Sequence, residues 1–306
     1  MSPRSLIALG LTAALALGLA GCGDDDASAA DRSLSEFDLV VVASEINDPL
    51  AADLYGIMLD PLTAVRITTD KKISAVAATG NQVVVAAADG RVDQLAFVNV
   101  TGELTEIPGL GRPFAYNPSF VDGHTLMFDD VLVPEEGVEV NRTVLWDEDE
   151  QAKSVLFQTT DTLIGSTPGP DGQVALIRTR KSGESIVVRD AAGATKEVPV
   201  DGDVGKLSWG PRYIAVGLNN TERKAGADPS VALILFDPVA GKQLQLGGSQ
   251  PIAWTPDGSK LLVRKTGDGG KSQLAWFDPE NPDALGQIGG ISGLVIYSGA
   301  WIKGVS

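Results

Sequence analysis

Few residues in this chain have the chemistry for catalysis. His124, in "VDGHTLMF", is the only histidine and Cys22 the only cysteine among 306 residues. A single imidazole acts as a general base only where a nucleophile and an orienting acid converge on it. His124 follows an Asp-Gly corner, so a solvated turn is its expected setting. Zinc and copper sites that rely on His and Cys are excluded, and so are disulfides. "GDGGKS" (267–272) has Lys265 where a phosphate loop needs its first glycine, and it reads as a hairpin loop.

Carboxylates are more plentiful. "DEDE" (147–150), "DGD" (201–203) and "PEEGVE" (134–139) offer oxygen ligands, but none has the alternating spacing of a calcium loop. Ca²⁺ is the one cofactor these acids leave open. A carboxylate pair for glycoside chemistry would have to be assembled from distant segments. The cations cluster instead. Arg178, Arg180 and Lys181 fall in "RTRKSGES", Arg223 and Lys224 in "GLNNTERKAGADPS", and Arg264, Lys265 and Lys271 in "RKTGDGGKSQ". Three short polar segments thus hold eight of the 24 cationic residues of a chain with formal charge −16. Such a net charge repels nucleic acid, so no nucleic-acid partner is expected.

What positions these segments is a repeat. A short apolar strand ending in Asp or Asn occurs six times, at Asp60, Asn99, Asp147, Asp190, Asp237 and Asp278. A turn and a second short strand follow each. The acid or amide has a mechanical use there, since its oxygen accepts bonds from backbone N–H groups two or so residues on. The other half of the unit is a strand, a tight corner and an apolar strand, clearest in "IAWTPDGSKLLVR" (252–264). Pro presets one corner torsion and Gly supplies a positive φ at another. Each unit is therefore four antiparallel strands, A to D, in some forty to fifty residues, which is the pattern of a β-propeller.

The two ends complete each other. The first unit, from residue 38, has strands B, C and D but no A, whereas "VIYSGAWIKG" near the C-terminus supplies a lone A strand. Joining them removes the free edges of the ring. An all-β, six-bladed propeller over residues 38–306 is predicted, its first blade closed by the C-terminal strand. Trp254-Thr255-Pro256-Asp257-Gly258 resembles the W-S-P-D-G repeat of TolB-like propellers, a WD40-like pattern degraded in the other blades. The resemblance implies six blades and a binding role. TolB proper carries an α/β domain ahead of its propeller, and a tether is read at that place here.

The first 21 residues read as a bacterial lipoprotein signal peptide. Arg4 precedes an apolar run from Leu6 to Ala20, too short to span a bilayer comfortably. Leu19-Ala20-Gly21-Cys22 resembles a lipobox, which implies cleavage before Cys22 and a diacylglycerol on its thiol. Residues 22–37, small and acidic, read as a flexible tether. The chain is expected on the extracytoplasmic side of a membrane, held by its lipid.

In a four-stranded meander the B–C loops and the blade-to-blade connections share one face. Read in order, the B–C loops of blades four, five and six carry the eight cations named above. Those of blades one and three, "SEINDPLAAD" and "DDVLVPEEGVEVNR", are acidic through Glu45, Asp48, Asp129, Asp130, Glu135 and Glu136. Two functions follow. The first is an anchored scaffold without catalysis, docking a protein, peptide or anionic polymer on the B–C face. The second is a hydrolase or lyase for a sugar or lactone in the central channel, possible with Ca²⁺ where three or more carboxylates or amides converge on the axis.

Overall fold

The computed structural model describes residues 33–303, apart from 81, 90, 91, 111–113, 135, 136, 201, 219–230, 267–271, 283 and 284. Cys22, Arg223, Lys224, Lys271, Glu135 and Glu136 therefore lie outside the described residues. Strands form six four-stranded antiparallel sheets around an axis. Blade one is β1 (Leu39–Glu45), β2 (Asp48–Leu59) and β3 (Leu62–Arg66), with β24 (Leu294–Trp301) as its inner strand. The closure read from the sequence is thus present, with Leu39 paired to Trp301 and Glu45 to Leu294.

The other blades are sequential. Their inner strands are β4 (Ile73–Thr79), β8 (Phe114–Phe120), β12 (Thr162–Pro168), β16 (Val204–Trp209) and β20 (Ser249–Trp254). The corner chemistry is as expected in the five blades after the first. Asp147 accepts from the Glu150 N–H, Asp190 from Ala194, Asp237 from Val239 and Ala240, Asp278 from Glu280, and Asn99 from Thr101 and Glu103. The Ala240 and Val239 donors hold the Asp237 carboxyl below the usual carboxylate range.

The core lies between blades rather than in one centre, because each sheet has two faces to bury. Phe37, Val40, Val42, Leu54, Ile73 and Val83 form one such layer between blades one and two. Residues 33–37, read from the sequence as the end of the tether, belong to this layer. Ser33 and Glu36 close a capping box around a short 3₁₀ turn, and Leu34 and Phe37 are buried. The Phe37 ring lies where a side chain at residue 56 would stand: a Cβ added to Gly56 would come within 2.5 Å of it.

All six inner strands carry an irregularity in their pairing with the second strand of the blade. The register skips at Ser74, Asn117-Pro118, Ile164, Gly205, Ile252 and Tyr297. Such bulges leave backbone groups out of the ladder and bend the strand. Here they form a ring around the axis.

Candidate functional site

The B–C face differs from the sequence expectation because several of its loops are short. Between β13 (Val174–Arg180) and β14 (Gly183–Arg189) only Lys181 and Ser182 are loop, so Arg178 and Arg180 stand on a strand. Both meet the same two acids. Arg178 bonds Glu197, and Arg180 bonds Asp161 at 2.9 Å and Glu197 at 3.0 Å. Ser185 also donates to Glu197, and that bond with the two guanidiniums holds the Glu197 carboxyl below its ordinary range. The charge of this pair of arginines is balanced within blade four. Lys181 is exposed at the loop tip. Arg264 and Lys265 also stand on a strand, β21 (Leu261–Thr266). Burial lowers the Arg264 pKa, and its Nε is buried without a partner.

The expected acidic rim changes more. Asp129 and Asp130 sit inside β9 (Thr125–Leu132) and are buried, so neither belongs to an exposed rim. Their partners come from β10 (Val140–Asp147): Arg142 clasps Asp130 through Nε and one terminal nitrogen at 2.7 and 2.6 Å, and the Thr143 hydroxyl donates to Asp129 at 2.8 Å. Burial pushes the Asp129 carboxyl up to about 6, against opposing hydrogen bonds from Thr143, Ser166 and Asn117. Glu45 and Asp48 are exposed as expected, Glu45 facing Arg66 at 3.3 Å. Arg66 reaches on to Asp53, a fully buried acid that also accepts from Thr68 and from the Asp70 and Lys71 N–H groups.

Apolar side chains distinguish this face. Ile46 and Leu50 in blade one, Tyr297 beside them, and Phe114, Leu132, Val133 and Val138 in blade three are all exposed. Leu50 is 89% exposed and Val138 67%. Glu45, Asp48 and Glu139 lie among them. Val121 and Val239 are the large apolar residues exposed at described turn tips of the opposite face. His124 is on that face too, exposed, with Nδ1 at 4.0 Å from Asp149.

The axis holds a cavity of about 480 Å³, walled by the C-terminal halves of all six inner strands. At the first position after each bulge the register places Ala75, Gly165, Lys206, Ala253 and Ser298 in five of the blades. Four of these are small, so space surrounds the fifth. Lys206 Nζ donates to the bulged Ile252 carbonyl at 2.8 Å. In blade three Asn117 plays the matching part, donating through Nδ2 to the Ile164 carbonyl at 2.5 Å. Desolvation pulls the Lys206 ammonium down to about 7. Farther along, Phe120, Trp209, Trp254 and Trp301 line the wall, with Lys303 at its end. Asn117 is the amide and Lys206 and Lys303 are the ionisable residues of this described lining. Among the described residues no three His, Cys, Asp or Glu side chains gather as a metal site.

Lys206 is not singled out by the sequence reading, and Asp129 enters it only as part of an exposed acidic rim. A signal existed for the lysine: "VGKLSW" places one ionisable side chain in an inner strand of small and apolar residues. Asp129 offered less, because its partners lie on other strands.

A six-bladed propeller with an open axis and a loop face of mixed acidic and apolar character is the class that this geometry defines. Solved structures share the fold. TolB from Acinetobacter baumannii superposes with a TM-score of 0.61 at 16% identity, over 86% of this chain and 66% of TolB. The chain thus spans a little under two thirds of TolB's length. XC5397 from Xanthomonas campestris, a gluconolactonase, gives 0.53 at 12% identity over 76% and 84% of the two chains. The tricorn protease gives 0.53 at 14% identity, over 83% of this chain and 29% of the protease. No protein-family model matches the sequence, and no curated protein matches it either. The fold is TolB-like, and at these identities likeness carries the fold alone.

Proposed function

We propose that the protein is a lipid-anchored, extracytoplasmic binding propeller that holds a protein partner on its B–C face without catalysing a reaction. The observation that carries this reading is the concentration of exposed apolar side chains on that face, set among Glu45, Asp48 and Glu139. Exposed apolar groups rimmed by charge mark docking surfaces. A partner segment with apolar and basic side chains complements them. Arg178 and Arg180 are balanced by Asp161 and Glu197, which favours a protein over an anionic polymer as the partner. The TolB-like fold supports an interaction role and an envelope location, and the lipobox-like Leu19-Ala20-Gly21-Cys22 supports the anchor.

The test has two arms. Cys22→Ser is expected to move the protein from the membrane fraction to the soluble extracytoplasmic fraction. Retention of that variant on washed membranes would remove the anchor. For docking, the variant L132D/V133D is compared with V121D/V239D as bait in envelope extracts. The first is expected to lose at least about ten-fold of a specific captured protein, and the second to keep it. Equal capture by both baits would overturn the assignment of the face.

A further inference from the structure

Among the described residues no counter-charge faces Lys206. Of the strands packed on β16, neither β12, β20 nor its sheet neighbour β17 (Ile214–Leu218) carries an ionisable side chain. β13 carries Arg178 and Arg180, both engaged with Asp161 and Glu197. The nearby Glu184 is used by the Val204 N–H and the Thr179 hydroxyl. Across the axis, Asp129 lies behind Asn117, whose Nδ2 stands 3.4 Å from its carboxylate. Lys303 binds the Glu36 carbonyl and Asp38.

An ammonium has three donors, and the Ile252 carbonyl takes one of those of Lys206. The rest face a cavity that the small residues Ala75, Gly165 and Ala253 leave open at this level. Lys206 is half-buried; leaving a partly desolvated ammonium unpaired is unfavourable, and an anionic ligand supplies what is missing. The wall beyond is aromatic. A pocket with one charged anchor and apolar walls is the usual form of a small-molecule site.

We infer that the axial channel binds a small apolar carboxylate, with the carboxylate ion-paired to Lys206 Nζ and the apolar body against Phe120, Trp209 and Trp254. This site is separate from the docking face and stands whether or not a protein binds there. The carboxylate charge and the ammonium charge are both required. Affinity therefore falls as the lysine loses its proton, by about ten-fold for each pH unit above the folded-state value near 7.

The probe is benzoate, with benzamide as its uncharged counterpart, titrated calorimetrically into the full chain in detergent. Benzoate is expected to bind at pH 6 at least about ten-fold more tightly than benzamide, and to weaken between pH 7 and 9. Lys206→Met is expected to abolish the preference for benzoate. Lys206→Arg is expected to keep benzoate binding and to lose its weakening between pH 7 and 9, since guanidinium stays charged. Circular dichroism establishes that the variants fold. If a variant does not fold, the wild-type pH series and the benzamide comparison decide alone. Equal binding of the two probes, no binding of benzoate by the wild type, or unchanged benzoate binding by Lys206→Met would each overturn the inference.

Discussion

Deleting residues 294–306 is expected to abolish cooperative folding. The cut removes β24, which pairs with β1 from Leu39↔Trp301 to Glu45↔Leu294 and buries Leu294, Ile296 and Ile302. Each such side chain contributes about 1.5–3 kcal/mol on burial. The loss also strips one face of the layer containing Leu39, Val41, Ile252 and Leu262, and it exposes the backbone of β1 as a free edge. Native stability is only about 5–15 kcal/mol, so these losses together exhaust it. Thermal unfolding followed by circular dichroism, with size-exclusion chromatography, reads the result. The expected outcome is aggregation or a broad, non-cooperative melt. A full-length melting temperature in the truncated chain would mean that β24 does not close the ring.

Phe37→Ala is expected to destabilise the propeller by about 3–5 kcal/mol, the usual cost of emptying a buried aromatic site. Phe37 is fully buried and fills the space that Gly56 leaves on β2. Because Gly56 has no side chain, no neighbour can swing into the void from there. A fall in melting temperature of roughly 6–15 °C follows for a ring of this size. A change below about 2 °C would show that residues 33–37 do not pack on blade one.

The blades were readable because their determinants are local. In five of the six blades an Asp or Asn at the end of the third strand closes its own turn, and such bonds span two to four residues. The split blade was readable because a lone strand pattern at one end matched a missing one at the other. The charges were harder. "RTRKSGES" looks like a loop, yet cross-strand pairing extends β13 to Arg180 and resumes at Gly183, leaving a two-residue connection. The polar side chains stay on strands because Asp161 and Glu197 receive them, and those acids are 17 to 19 residues away in sequence. Asp129 and Asp130 were misplaced for the same reason. A pair of acids reads as surface unless one knows that Thr143 and Arg142 stand opposite them in register. Lys206 was the reverse case, a local anomaly inside an inner strand whose meaning appears only once its level in the channel is known.

The docking face is tested most directly in the cell. A photo-crosslinking amino acid is placed singly at Leu50, Val133, Val121 or Val239, all exposed. Leu50 and Val133 lie on the B–C face, and Val121 and Val239 lie on the other. Illumination of intact cells is predicted to give the same discrete adduct from Leu50 and from Val133, and none from Val121 or Val239. An adduct from the opposite face with none from the B–C face would contradict the account.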